Sequence, residues 1–225
     1  YGPVPPQPPS PFMSPLQKKN PFNLSTARRL LTSHGWKIPS SGPAVCEHPG
    51  TGKADCGAGI ARGKKLTFSV IYTSGTGYMT GVLANLKSDA SRVGIVLNLS
   101  QTPFNSIVGD ICGTPTCDSP GWQLADYGGN NFGSPYPEGS TMWQGHQGLD
   151  YPVTAKFQKL ITATQTADAA DTVEAMRAYD AWVINHEYEL WQVVTDKVNA
   201  FSNKVKNVWM SPVTNNVYPA QFEMK

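Results

Sequence analysis

Between Leu66 and Ser100 the hydrophobic period of the chain changes twice, and this stretch limits the folds open to it. Leu66, Phe68, Val70 and Tyr72 alternate with Thr67, Ser69 and Ile71, which is the period of a strand with two unlike faces. Gly75 and Gly77 mark a turn, after which Met79, Val82, Leu83, Leu86 and Ala90 recur at helical spacing. Ser91-Arg92 closes that helix, and Val93 to Ser100 reads as a second strand. Two strands joined through a helix run parallel in a right-handed crossover, because an antiparallel pair would need only a tight turn. The expected fold class is therefore α/β, a mostly parallel mixed sheet flanked by helices.

The rest of the chain fits around this unit. Residues 1–22 are rich in Pro and lack periodicity, so they are expected to be extended, either as a strap on a domain surface or as a linker. A first helix is capped by Asn23 or Ser25, runs to about His34 and ends at a left-handed Gly35. Thr102 to Val108 reads as a short helix with Thr102 as cap and Pro103 in first position, and Gly121 to Tyr127 as a third strand. Val153, Phe157, Leu160 and Ile161 share a helical face. A further helix begins at Asp168, with Val173, Met176, Tyr179 and Val183 at its spacing. Leu190 to Thr195 reads as a strand, and the tail ends in a strand around Val217 or Phe222. The expected organisation is a Pro-rich lead-in over 1–22, an α/β lobe over 23–207 and a C-terminal segment over 208–225.

Cys46 and Cys56 flank one Pro/Gly-rich loop within 38–63, and Cys112 and Cys117 flank another within 110–120. Local pairs in turn-forming sequence read as two short loop-closing disulfides and point to export. A zinc site and reduced thiols compete with that reading, although these spacings are wider than the usual zinc knuckle. No apolar stretch approaches membrane-spanning length. The net charge is +2 and no basic run exceeds Lys64-Lys65, so no nucleic-acid partner is expected from the sequence. The chain opens at Tyr1 without an initiator Met, as a chain processed or cut from a longer one would.

Catalytic and metal signatures are sparse. Gly50-Thr51-Gly52-Lys53 resembles part of a phosphate loop, but Ala54 stands where Ser or Thr is required. The histidines His34, His48, His146 and His186 are scattered, without H-x-x-x-H spacing, and His34 suits a helix C-terminus. The acids Asp168, Asp171, Glu174, Asp180, Glu187 and Glu189 mostly fall at spacings of a solvated helix face. No catalytic residue, metal or cofactor is expected. Trp122, Trp182 and Trp191 read as core.

Tyr127, Phe132, Tyr136 and Trp143 surround a Gly/Asn-rich loop, Gly128 to Gly139, past the end of the third strand, where open α/β sheets bind ligands. They form either a ligand wall with the amides of Asn130 and Asn131 or a plug for the base of the loop. Asp126, at the strand end, either pairs with a ligand ammonium or bonds the backbone of the following turn. Asp126 and Glu138 are the only local carboxylate pair, so a secreted carbohydrate-binding module or glycoside hydrolase-type domain is the alternative function.

Several of these segments, in this order, resemble the family 5 extracellular solute-binding proteins, the oligopeptide-, dipeptide- and nickel-binding components of ABC importers. They are Ala27-Arg28-Arg29-Leu30-Leu31-Thr32-Ser33-His34-Gly35-Trp36, Leu66 to Val70, Leu86 to Asp89 with Val93-Gly94-Ile95-Val96-Leu97, Trp122 to Tyr127, Tyr151 to Ile161 and Val198 to Val208. The resemblance implies a type II periplasmic-binding lobe, here the C-terminal one, sharing its cleft with a missing N-terminal lobe. It implies a monomeric, non-enzymatic receptor for a peptide or other small solute, exported, lipid-anchored and read by a membrane permease. It also implies that Asp126, in Ala125-Asp126-Tyr127, pairs with a peptide amino terminus. The chain departs from the family pattern at Gly128-Gly129-Asn130-Asn131-Phe132, so the pocket rim differs.

Overall fold

The computed structural model describes residues 2–4, 9–18, 21–107, 121–128, 139, 154–187, 189–192, 200–209 and 219–224. They fall into two compact units, one within 21–128 and one formed by 2–18 with 139 and 154–224.

In the first unit, helix α1 spans Leu24–Ser33. The Asn23 side chain caps it by accepting the Thr26 N–H at 2.9 Å. Gly35 follows at φ 76°, and a Cβ there would meet Ala54 O at 2.8 Å and His48 Cβ at 2.9 Å, so both the conformation and the space demand glycine. Strands β1 (Trp36–Lys37) and β2 (Val45–Cys46) pair antiparallel, and Lys65 bridges to Val45 on the other side. The Cys46–Cys56 disulfide closes this loop as the sequence suggested. Cys46, Ala44 and Trp36 are buried together, with Leu31, Ile38, Ile60 and Leu66 against them.

Strand β3 (Thr67–Thr73), helix α2 (Gly77–Ser91) and strand β4 (Val96–Thr102) form the expected parallel crossover. Strand β5 (Leu124–Asp126) adds parallel to the other side of β3, giving the order β4-β3-β5. Val70, Tyr72 and Leu97 are buried, as are Met79 and Leu83 of α2, so one sheet face makes a core. Strand boundaries move from those read in the sequence. The chain uses Val93 and Gly94 in a turn, where Ile95 N–H reaches back to Ala90 O at 3.0 Å and Gly94 sits at φ 83°, so β4 starts at Val96. Thr102 is the last residue of β4 rather than a helix cap, and the helical turn begins at Phe104 with Ile107 N–H on Pro103 O. Strand β5 is shorter than 121–127 because the Gln123 side chain, not a backbone carbonyl, takes the Ser69 N–H at 2.7 Å.

In the second unit, α3 (Ala155–Thr166) and α4 (Thr172–His186) lie against each other. Thr154 caps α3 through the Phe157 N–H at 3.2 Å. Helix α4 starts at Thr172 rather than Asp168, whose carbonyl instead accepts from Asp171 and Thr172 in a preceding turn. Phe157, Ile161, Tyr179 and Val183 are fully buried, with Leu160, Trp182 and Trp191 against them. Leu190 to Gln192 are not strand, and residues 193–195 lie outside the described set. Trp191 therefore packs from an irregular segment. Gly139 donates to Thr164 Oγ1 at 3.0 Å, and a Cβ on it would lie 2.9 Å from the Tyr179 ring.

The Pro-rich lead-in is anchored by Asp180 of α4, which is wholly buried. Its carboxylate accepts the Ser14 N–H at 2.6 Å and the Gln17 amide at 2.9 Å, and Gln17 also donates to Val4 O at 3.0 Å. Burial raises the Asp180 pKa above the ordinary value, and these hydrogen bonds partly offset the rise. A 3-10 turn at Pro15–Lys18 sets this geometry, so the lead-in is not extended throughout. Near the C-terminus, β6 (Val205–Lys206) pairs antiparallel with β7 (Glu223–Met224), next to Phe222 as expected; Val217 lies outside the described residues.

Candidate functional site

The carboxyl ends of β3, β4 and β5 lie side by side because all three strands run the same way. Register places Tyr72 beside Asp126 and Thr73 beside Thr102. The chain leaves each strand end through a segment that carries an aromatic residue: Tyr78 in the first turn of α2, Phe104 after β4 and Tyr127 after β5. Tyr78 and Phe104 are about half exposed, at 51% and 52%. No Lys or Arg lies in 73–80, 102–107 or 126–128, and Asp126 is the one carboxylate there. Among the described residues this edge therefore presents one carboxylate and no cation, which suits a neutral or cationic ligand group better than an anion.

The Asp126 Oδ1 accepts the Gly128 N–H at 3.3 Å, the turn-closing role available to an Asp at that position. Gly128 takes φ 114°, which a side chain resists. The turn bond and ligand pairing are compatible, since a carboxylate has two oxygens and about four acceptor directions. Asp126, Tyr127 and Gly128 are thus placed at the strand ends. Asn130, Asn131, Phe132, Tyr136, Glu138 and Trp143 lie outside the described residues, as do Cys112, Cys117 and His146.

A second feature escaped the sequence reading. A cavity of about 350 Å³ opens against the middle of the sheet. Its lining includes Ser69 and Ile71 of β3, Asn98 and Ser100 of β4, and Gly121 and Trp122 before β5. Trp122, expected in the core, is half-buried at this opening. Parallel pairing puts Ser69 beside Asn98 and Ile71 beside Ser100, so these side chains share the sheet face opposite Val70 and Tyr72. The signal was present as the polar half of the β3 alternation, but only the β4 register shows that Asn98 and Ser100 join it.

Several other candidate groups have structural partners. His34 Nδ1 lies 2.8 Å from Leu30 O at the end of α1, and His186 Nδ1 lies 2.8 Å from Trp182 O at the end of α4. Asp55 accepts the Gly52 N–H at 2.8 Å, so the phosphate-loop-like segment is a self-closed turn. Among the described residues no group of three or more His, Cys, Asp or Glu is placed to hold a metal ion. No described helix is long and apolar enough to cross a membrane.

No family model and no curated protein matches the chain. Its fold does match solved structures. NikA from Brucella suis, in complex with Fe(III)-EDTA, superposes with TM-score 0.61 at 14% identity over 91% of this chain and 38% of that one. The oligopeptide-binding protein AppA from Bacillus subtilis, in complex with a nonapeptide, gives 0.58 at 13% identity over 95% and 42%. A periplasmic oligopeptide-binding protein of an ABC transporter from Thermotoga maritima, with bound mannohexaose, gives 0.56 at 14% over 80% and 33%. The chain has the α/β fold of these binding proteins, a parallel sheet with helices against it, and spans less than half of their length.

Proposed function

We propose that this chain is the ligand-capture lobe of an exported solute-binding protein that feeds an ABC importer, and that its ligand is an oligopeptide held at the carboxyl edge of the sheet. In this reading Asp126 pairs with the peptide amino terminus, and the aromatic and amide groups of 127–138 form the wall. A second lobe closes over the ligand, and a membrane permease receives it. No bond is made or broken. The lobe acts outside the membrane, lipid-anchored in the full-length protein.

The observation that carries the proposal is the single carboxylate at the junction of three parallel strand ends, with no cation among the described residues of that edge. An ammonium group gains a charge-assisted hydrogen bond there. The fold likeness to a protein solved with a nonapeptide supports it. Calorimetric titration with peptide pools, their N-acetylated counterparts, oligosaccharides and metal chelates is the test. The expected result is heat from free peptides, with binding weakened about ten-fold or more by acetylation or by Asp126→Asn, the loss of one charge-assisted contact. Heat from a sugar or chelate with none from any peptide refutes the assignment.

The cavity against the sheet, with its mixed polar and apolar lining, favours one second reading, an oligosaccharide ligand. Its indole and its amide and hydroxyl groups are the donors, acceptors and stacking surface that a sugar uses. In that case Trp122→Ala abolishes the heat and Asp126→Asn leaves it.

A further inference from the structure

The geometry points to a docking surface for anionic lipid at the amino edge of the sheet, the pole opposite the candidate ligand edge. The sequence has no basic run, but the fold collects one. Residues 21–107 hold nine Lys and Arg and three Asp and Glu, a formal excess of six. Six of these cations reach one pole from separate stretches. Lys64 and Lys65 immediately precede β3, and Lys37 and Lys65 flank Val45 on either side in the β1-β2 sheet. Ala44 N–H donates to Gly94 O at 2.7 Å, which ties that small sheet to the turn after α2. Arg92 stands at the same turn, and the Arg28 guanidinium of α1 donates to its carbonyl. Lys87 lies in the C-terminal half of α2, which ends at this pole.

All nine cations are exposed. The acids are already engaged: Glu47 pairs with Lys37 at 3.0 Å, Asp89 with Arg92 at 3.2 Å, and Asp55 holds its own turn. Seven cations therefore have no acidic partner among the described residues. Two exposed apolar side chains belong to the same segment: Phe22, just before α1, is 73% exposed, and Leu30 of α1 is 47% exposed, on a helix with no buried residue. Cations around exposed apolar groups match a bilayer surface, where headgroups neutralise the charge and the apolar side chains enter the acyl boundary. A nucleic acid would use the cations but offers no acyl boundary to Phe22 and Leu30. The disulfide closes the loop that carries Lys53, and backbone bonds from Cys46 hold Gly63 and Lys64, so less ordering is needed on contact. This surface does not depend on what the carboxyl edge binds.

The test is co-sedimentation of the chain with phosphatidylcholine vesicles, with and without phosphatidylglycerol, at low and high salt. Retention is expected only on the anionic vesicles and only at low salt. Lys64→Gln with Lys65→Gln should weaken partitioning by roughly five-fold per cation removed. Leu30→Ser should weaken it further, and Lys204→Gln with Lys206→Gln, in the other unit, should leave it unchanged. All these positions are exposed, and circular dichroism confirms that each variant folds. Equal retention on neutral vesicles, an equal loss from the control pair, or preferential capture by duplex DNA that is indifferent to Leu30→Ser overturns the proposal.

Discussion

In residues 21–128 the long-range ties are backbone ladders. Seven register pairs join β3 to β4, three join β3 to β5, and the small β1-β2 sheet is sewn to them through Ala44, Gly94 and Leu66. In the other unit, apart from the short β6-β7 pairing, the long-range ties are side chains. Phe157 stacks near Tyr179 and Trp182 with ring centroids 6.3 and 6.1 Å away, and Asp180 holds a segment 166 residues away in sequence. Ladder bonds belong to the peptide group and survive most substitutions. Side-chain ties vanish when one residue changes, so the second unit should be the more fragile to point mutation.

Tyr179→Ala is expected to have the largest effect, about 4 kcal/mol, through the cavity it leaves among Phe157, Ile161 and Val183. Hydrogen exchange should lose protection over 154–187 while β3 and β4 keep theirs; loss in both would break the contrast. Replacing Cys46 and Cys56 together by Ala should cost about 3 kcal/mol, the scale of a short loop closure, and the exchange should localise to 36–66. Asp180→Ala should cost about 2 kcal/mol, because two buried donors, Ser14 N–H and the Gln17 amide, lose their acceptor. Limited proteolysis should then cut the lead-in near Pro15.

The pH dependence sharpens the same contrast. Burial pushes Glu189, in the second unit, up to about 7 from its ordinary 4.5. A carboxyl raised on folding stabilises the fold below the unfolded value, and that contribution is lost as pH rises from 4.5 through about 7. Thermal melts of this unit should fall across that window, and Glu189→Gln should flatten the fall. The smallest effect is expected from Ser100→Ala, an exposed residue of β4, within about 0.5 kcal/mol in a denaturant titration.

Elements with strong local signals were legible. The strand–helix–strand run, the Asn23 cap, the left-handed Gly35, the His34 contact with the end of α1 and the Cys46–Cys56 bridge all depend on residues close in sequence. Where readings failed, a distant partner had decided. The Ser69 N–H shortened β5 by taking the Gln123 side chain, and Trp191 packs on the α3-α4 cluster without belonging to a strand. At the candidate site, Asp126 was legible because turn chemistry after a strand is local. The Asn98 and Ser100 contribution to the polar face was not, because parallel register is set by pairing across the crossover.

The sequence by itself determined the fold class, the parallel sense of the central strands and the position of a lone carboxylate at a strand end. Period and turn residues are properties of short windows, and backbone geometry converts them directly into strands, helices and their order. Only the tertiary structure decided that six scattered cations share one pole, that Asp180 anchors the lead-in and that a cavity of mixed lining opens against the sheet. Each of those joins residues tens of positions apart, and their adjacency exists only once pairing and packing have chosen the register.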